Sequence, residues 1–416
     1  MTILKTVLLL SGVLGVPLFV VISGIALVSF YAAGIDLSVV AIEMSRLSGT
    51  PMLLSLPLFL FAGNLLAESK APERLLAVAR CFLGWLPGGT AWVALLLCAV
   101  FTAFTGASGA TIFALGGLLY PALAKDGYSS DFSLGLLTSG GSLGILFPPS
   151  LPIILYGVVA GVRIDTLFLA GLVPGMLMLA VLAGYAFLQG KKIPRPSFAR
   201  ENAPRLVAHA IWELFLPVLL FVGIYGGFFV ISEAAAVTAL YVLGIETLIY
   251  RDLGLQDVVR ITVKSSVMFG GIMVVLAASM AATNYLVDQQ VPARLFTLLQ
   301  QYVTSKMSFL LLLNLFLLLV GAMLDIFSAL VLIVPLIIPL AQGYGVDLVH
   351  LGIIFLANLQ IGYCTPPVGL SLFLASYRFE RPVVELYRAT LPFLLLLLAT
   401  LAAITYLPFL SLWLVG

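Results

Sequence analysis

Leu143-Gly-Ile-Leu-Phe-Pro-Pro-Ser150 and Ile361-Gly-Tyr-Cys-Thr-Pro-Pro-Val368 follow one pattern at positions 218 apart. Pro148-Pro149 aligns with Pro366-Pro367, and Gly144 with Gly362. The same offset, without a gap, pairs Pro121 with Pro339 and Gly127 with Gly345, so the match runs through at least 29 residues. Each Pro-Pro pair cuts an otherwise apolar run. In a membrane chain, such interruptions at corresponding places in two halves point to a binding site.

Composition supports the membrane reading. Of 416 residues, 62% are hydrophobic and 9% charged, against about 25% charged in a soluble domain. Leu391 to Val415 is long enough to cross a bilayer, which takes about 20 residues. Phe309 to Leu340 is longer and must be kinked, tilted or broken. Unpaired backbone is not tolerated in lipid, so the bulk is helical; the short alternating segments of a β-barrel are absent. The expected architecture is an all-α polytopic membrane protein of about ten to twelve spans with two re-entrant hairpins.

Three units follow along the chain. Residues 1–190 form an N-terminal half with spans near 6–33, 52–67 and 90–105 and a hairpin near 132–157 split by Pro148-Pro149. Pro149 suits the first turn of a helix, where its missing N–H costs nothing. Residues 191–210 form a basic connector with Lys191, Lys192, Arg195, Arg200 and Arg205 against one acid, Glu201; the positive-inside rule puts it in the cytoplasm. Residues 211–416 form the C-terminal half, with a hairpin near 348–376 and a last span from Leu391. The apolar run after Lys5 is too long for a signal peptide and reads as a retained span. Glu68 to Arg80 reads as an interfacial helix. The offset establishes duplication and leaves inverted and parallel repeats both open.

The hairpin tips carry the chemistry. The first offers Thr138-Ser-Gly-Gly-Ser-Leu-Gly144 and Ser150; the second offers Asn358-Leu-Gln-Ile-Gly362 and Thr365. Hydroxyls, amides and unwound carbonyls there can ligate a hard monovalent cation. The N-terminus of each following half-helix suits an anion. The competing reading is that these small residues only let helices pack closely. Asp325, flanked by apolar sequence, is an intramembrane acid and a functional candidate by default; alternatively it caps a helix. Glu233 suits a helix first turn, Glu246 is a weaker candidate, and Glu43 reads as solvated. Asn64, Asn284 and Asn314 suit interhelical hydrogen bonds. Cys81, Cys98 and Cys364 lack ligand or redox spacing and read as buried small residues.

Several functions are excluded or weakened. The basic cluster is too small, and too close to spans, for nucleic-acid binding. No P-loop or transition-metal cluster is present. Gly140-Gly-Ser142-Leu-Gly144 lacks the strand–turn–helix context of a hydrolase elbow. Gly106-Ala-Ser108-Gly109 is similar to the motif of rhomboid intramembrane proteases, but His209 and His350 both lie by polar segments, away from a facing serine.

A family resemblance runs through nearly the whole chain. Gly106-Ala-Ser-Gly-Ala-Thr, Tyr120-Pro-Ala-Leu-Ala-Lys-Asp-Gly-Tyr128 and Gly144-Ile-Leu-Phe-Pro-Pro-Ser-Leu-Pro-Ile-Ile-Leu-Tyr-Gly157 come first. Phe168-Leu-Ala-Gly-Leu-Val-Pro-Gly175, Ile224-Tyr-Gly-Gly-Phe-Phe-Val-Ile-Ser-Glu-Ala-Ala-Ala-Val237 and the block from Asn358 to Phe373 follow in order. Together they resemble the large membrane subunit of TRAP transporters, the DctM-like family. Ser232 stands where the family usually has Thr, and Tyr363-Cys364 where it usually has small or aliphatic residues.

The resemblance implies an elevator-type secondary transporter of inverted repeats in the bacterial inner membrane, not an enzyme. It implies uptake of an organic acid, sodium coupling, a small four-helix membrane subunit and a periplasmic substrate-binding protein. Carried over by position, cation ligands would be Ser139, Gly140 and Gly144 with facing Gly106 and Ser108, and Gly362 and Thr365 with facing Gly321 and Asp325. Ser142, Ser150 and Asn358 are the candidates for substrate contact. A stand-alone ion-coupled carboxylate carrier, an intramembrane serine protease and a channel are the competing readings.

Overall fold

A computed structural model describes residues 2–13, 16–38, 41–42, 45, 51–191, 193, 203–366 and 368–416. Regular structure among them is helical. The N-terminal half contains α1 (Thr2–Val13), α2 (Leu18–Ala32), α3 (Ser55–Glu68), α4 (Ala71–Leu83), α5 (Gly89–Thr105), α6 (Ser108–Lys125), α7 (Ser130–Gly140), α8 (Leu151–Ala160) and α9 (Ile164–Gly190). The middle contains α10 (Ala203–His209), α11 (Ile211–Tyr225) and α12 (Ile231–Gly244), which runs into a π turn at Ile245–Ile249. The C-terminal half contains α13 (Leu255–Asp288), α14 (Val291–Gln300), α15 (Lys306–Met323), α16 (Ile326–Gly343), α17 (Leu348–Gly362), α18 (Leu370–Phe379), α19 (Val383–Tyr406) and α20 (Phe409–Leu412).

The duplication seen in the sequence governs the fold. Moved by 218 positions, α6 falls on α16 end for end, and α5, α7, α8 and α9 fall on α15, α17, α18 and α19 to within a few residues. Gly127 and Gly345, paired by that offset, both hold positive φ (96° and 69°) in the turn before a hairpin. That backbone region is open to glycine and strained for other residues. Ser129 caps α7 through the Phe132 N–H, and Asp347 caps α17 through Val349 and His350. Each Pro-Pro segment is thus started by a glycine turn and a capping side chain. The arms of the first bend by 43°, the geometry of a broken span or of a re-entrant loop, whereas α5 and α6 pack against each other.

Packing is reciprocal between the halves. The second half-helix of each Pro-Pro segment lies on a helix beside the break of the other half, α18 on α6 and α8 on α16. The first half-helices cross likewise, α7 onto α19 and α17 onto α9. From Leu351 to Gly362, α17 is buried throughout, so this helix lies at the centre of the molecule.

Several expectations change. Among the described residues six helices are long and apolar enough to cross a membrane, or up to nine when each bent pair counts as one span, against the ten to twelve spans expected. The difference arises because the chain uses broken and half-length helices. The span expected near 6–33 is two helices, α1 and α2, with Pro17 directly before the second. Phe309 to Leu340 is indeed broken, at Leu324-Asp325. Pro148 and Pro149 lie in a turn before α8, and Pro152 takes the first-turn position expected of Pro149. The last span begins at Val383, earlier than Leu391, and ends before Pro408. Cys98 and Cys364 are buried, whereas Cys81 is only half-buried. Of the connector, Lys191 and Arg205 are described; Lys192, Arg195, Arg200 and Glu201, like Glu43 and Pro367, lie outside the described residues.

The stretch expected as interfacial is more embedded. Helix α4 turns 71° from α3, and its Arg74 side chain is only 14% exposed. Arg74 pairs with Glu213, with Glu246 at 3.0 Å and with Asp252 at 2.5 Å. Glu246, ranked low from the sequence, is fully buried in this cluster. Glu233 accepts the Val230 N–H at 3.0 Å, as its place in a first turn predicts.

Candidate functional site

Helix α5 ends because Gly106 turns left-handed (φ 65°) and Ala107 is extended. Two non-helical residues free the last carbonyls of α5 and the first N–H groups of α6 inside the protein. Three threonines border this break. Thr102 Oγ1 donates to the carbonyl of Gly141 on the first hairpin at 2.7 Å and lies 2.7 Å from Thr111 Oγ1. Thr105 Oγ1 donates to the Ala107 carbonyl at 3.4 Å and lies 3.5 Å from Thr111 Oγ1. All three threonines are buried. Neutral oxygens and the negative end of a helix dipole therefore gather in one place. That donor set suits a hard monovalent cation, as at unwound helices in transporters.

The break between α15 and α16 is built differently. Leu324 and Asp325 are extended, and Asp325 Oδ1 accepts the N–H groups of Phe327 and Ser328, both at 3.0 Å. Tyr363 Oη accepts the Ile326 N–H at 2.5 Å, and Gly369 N donates to the Ala322 carbonyl at 2.9 Å. Moved by 218 positions, Thr102, Thr105 and Thr111 become Val320, Met323 and Ala329. The hydroxyl cluster exists on one side and a carboxylate-capped break on the other. Asp325 is exposed, and its carboxylate caps the start of α16.

Two serine contacts join the two halves of the chain. Ser142 Oγ donates to the Gln360 carbonyl at 3.2 Å, and Ser371 Oγ donates to Ser108 Oγ at 3.0 Å. Asn358 is not at the tip; it donates to Asn314 Oδ1 at 2.7 Å, and Asn314 donates to Thr405 at 3.0 Å. His350, at the start of the same hairpin, contacts Ser411 and the Thr405 carbonyl, each at 3.2 Å. Asn64 donates to Ser265, an interhelical bond of the kind expected.

The glycines divide into two groups. Gly106 makes the break. Gly321 and Gly362 let α15 and α17 cross backbone to backbone, since a Cβ on Gly362 would sit 2.7 Å from Gly321. Gly144 is pressed on α5, with the Ala99 carbonyl 2.2 Å from where a Cβ would stand, and Gly140 faces Leu95. Thr365 Oγ1 donates to Ile361 in its own turn at 2.9 Å. Ser139 and Ser150 are buried without a hydrogen-bond partner. They belong to a wider pattern. Of the eight buried side-chain polar atoms without a partner among the described residues, six lie in the hairpins, on Ser133, Thr138, Ser139, Ser150, Asn358 and Gln360. Buried polar groups are normally satisfied, so these unpaired groups set the two Pro-Pro segments apart from the rest of the core.

The expected residues are thus spread over two breaks and a central seam. Thr102, Thr105, Thr111 and Ser371 complete the arrangement and were not anticipated; their only signal was a hydroxyl beside a predicted break or Pro-Pro tip. Ser108 has a serine for a neighbour. His209 is exposed and His350 is engaged elsewhere, so no imidazole serves Ser108 as a base and the protease reading fails.

The model of the tripartite ATP-independent periplasmic transporter, DctM component, matches residues 2–410. The isethionate TRAP transporter permease protein DctMQ of Oleidesulfovibrio alaskensis is 33% identical over 410 residues, 97% of this chain, and this chain spans 64% of that relative's length. The C4-dicarboxylate TRAP transporter large permease protein DctM of Vibrio cholerae is 30% identical over 428 residues, covering 97% of this chain and 94% of the relative. The crystal structure of the Alcanivorax borkumensis YdaH transporter superposes with a TM-score of 0.62, covering 88% of this chain and 86% of that one at 13% identity, a likeness of fold alone. With the family match running through both breaks and both Pro-Pro segments, the chain belongs to the DctM component of the tripartite ATP-independent periplasmic transporters, a multi-pass protein of the bacterial inner membrane and not an enzyme.

Proposed function

We propose that this chain is the large membrane subunit of a secondary transporter that takes up a small organic acid with sodium. The observation that carries the reading is the junction of the broken α5–α6 run with the first Pro-Pro segment, where Thr102, Thr105, Thr111 and the carbonyls of Ala107 and Gly141 converge. Sodium is held there by neutral oxygens, with Ser139, Gly140, Gly144, Gly106 and Ser108 forming the surrounding tip and break. A second cation position uses Asp325, Gly321, Gly362 and Thr365. The substrate anion lies between the tips, near Ser142 and Ser150, facing the N-termini of α8 and α18.

Relatives named for isethionate and C4-dicarboxylates support a small organic anion as cargo. A periplasmic binding protein delivers it, and a small four-helix membrane subunit packs beside this chain. The two hairpins move as one body in an elevator cycle. Uptake into proteoliposomes carrying both membrane subunits tests the reading. It should require the binding protein and an inward sodium gradient. Uptake without the binding protein would identify a stand-alone carrier, and unitary currents would identify a channel.

A further inference from the structure

An apolar cleft of about 190 Å³ opens beside the first hairpin tip. Phe147, Pro148 and Pro149 form one wall, Val100 of α5 and Met176 of α9 the flanks, and Phe221 of α11 the far side. Helix α11 packs mainly on α10, α12 and α4 and faces the hairpin bundle across this gap. Val100, Met176 and Phe221 are exposed, so the cleft opens sideways from the bundle, toward bilayer hydrocarbon. Water does not fill an apolar cavity. A helix about 10–12 Å across with its side chains is too wide to enter it. A single acyl chain fits.

One end of the cleft is polar. Tyr225, part of its lining, donates to the Asp165 carbonyl at 3.2 Å. Arg163 pairs with the Asp165 carboxylate at 2.6 Å and remains 81% exposed. Tyrosine and arginine beyond an apolar slot are membrane-interface residues, and guanidinium is the side chain best suited to phosphate.

We propose that this cleft binds one phospholipid, with an acyl chain lying against Pro148-Pro149 and the phosphate at Arg163. The test uses the complex with its small membrane subunit in proteoliposomes containing a phospholipid with a diazirine in its acyl chain. After irradiation, labelling at Val100, Met176 and Phe221 should exceed that at Leu315 and Val263, exposed apolar residues elsewhere on the chain. Val100→Trp, or Leu220→Phe as a second filler, should abolish the excess and leave Leu315 labelled. Equal labelling of cleft and reference residues, labelling unchanged by both fillers, or a cleft shielded by the small subunit would overturn the proposal. Arg163→Ala should lower the anionic phospholipid retained on native mass spectrometry; unchanged retention would overturn the phosphate assignment.

Discussion

Ser142 Oγ donates to the carbonyl of Gln360, the residue 218 positions on and therefore its own counterpart in the second half. Around a two-fold axis, residue i generally meets the counterpart of some other residue j. A residue meets its own counterpart only close to the axis. The reciprocal packing of α18 on α6 and α8 on α16 obeys the same relation. The contact lies where a two-fold relation between the halves would put its axis. Removing this hydroxyl in Ser142→Ala should cost about 0.6 kcal/mol, the mean for an interhelical hydrogen bond in a membrane. Ser142→Leu, which forces bulk into the seam, should cost about 1–3 kcal/mol. Thermal unfolding of the purified complex checks both, and equal losses would remove the axis contact from the account.

Gly362 and Gly321 cross with no room for a side chain. Gly362→Ala should push α17 off α15 and lower stability by about 1–3 kcal/mol. Gly270, inside α13, provides the contrast, because a Cβ there would meet nothing within 4 Å. Gly270→Ala should be neutral or stabilising by up to about 1 kcal/mol, because it removes helix-interior glycine. A Gly362→Ala protein that unfolds with the native one would show that the crossing has slack.

Backbone requirements made the duplication legible. Proline and glycine constrain their own dihedrals, so Gly127 and Gly345 keep their meaning without knowledge of neighbours. The broken α15–α16 run was legible from length alone. The threonine cluster was not. Threonine in a membrane helix commonly bonds its own backbone, and only the approach of Gly141, 39 residues on, makes Thr102 different. Asp325 was legible as a candidate from its apolar neighbours, and the helix break sets it in a capping position. Glu246 looked unimportant because its partner Arg74 is 172 residues away.

The threonine cluster gives the sharpest test of sodium coupling. Thr111→Val keeps the shape of the side chain and removes one oxygen from the group around Thr102 and Thr105. Half-maximal uptake should then require more sodium, by about tenfold for each 1.4 kcal/mol lost. Ala329→Thr, at the counterpart position, should not restore it. An unchanged sodium dependence in a folded Thr111→Val protein would remove this cluster from the cation site.

Asp325 can be separated into cap and ligand. Asparagine caps nearly as well as aspartate, so Asp325→Asn should keep the α16 start intact, while Asp325→Ala should cost about 1 kcal/mol. If Asp325 also faces a cation, Asp325→Asn should still weaken the sodium dependence of uptake. Uptake titrations beside unfolding temperatures distinguish the roles. Native sodium dependence in Asp325→Asn would leave the cap as its whole contribution.

Arg74 ties the first half of the chain to its middle. Its guanidinium reaches Glu213 on α11, Glu246 in the π turn and Asp252 beyond it, and lies 3.8 Å from the centre of the Tyr250 ring. Tyr250 Oη donates to Glu213 at 2.9 Å, closing the cluster. Arg74→Met should cost about 3–5 kcal/mol, because it leaves buried carboxylates facing one another. Arg74→Lys should recover only part, since an ammonium cannot fork to three partners. Thermal unfolding of the purified complexes checks the order native, Arg74→Lys, Arg74→Met. An Arg74→Met protein that unfolds with the native one would mean that the three carboxylates find other partners once Arg74 is gone.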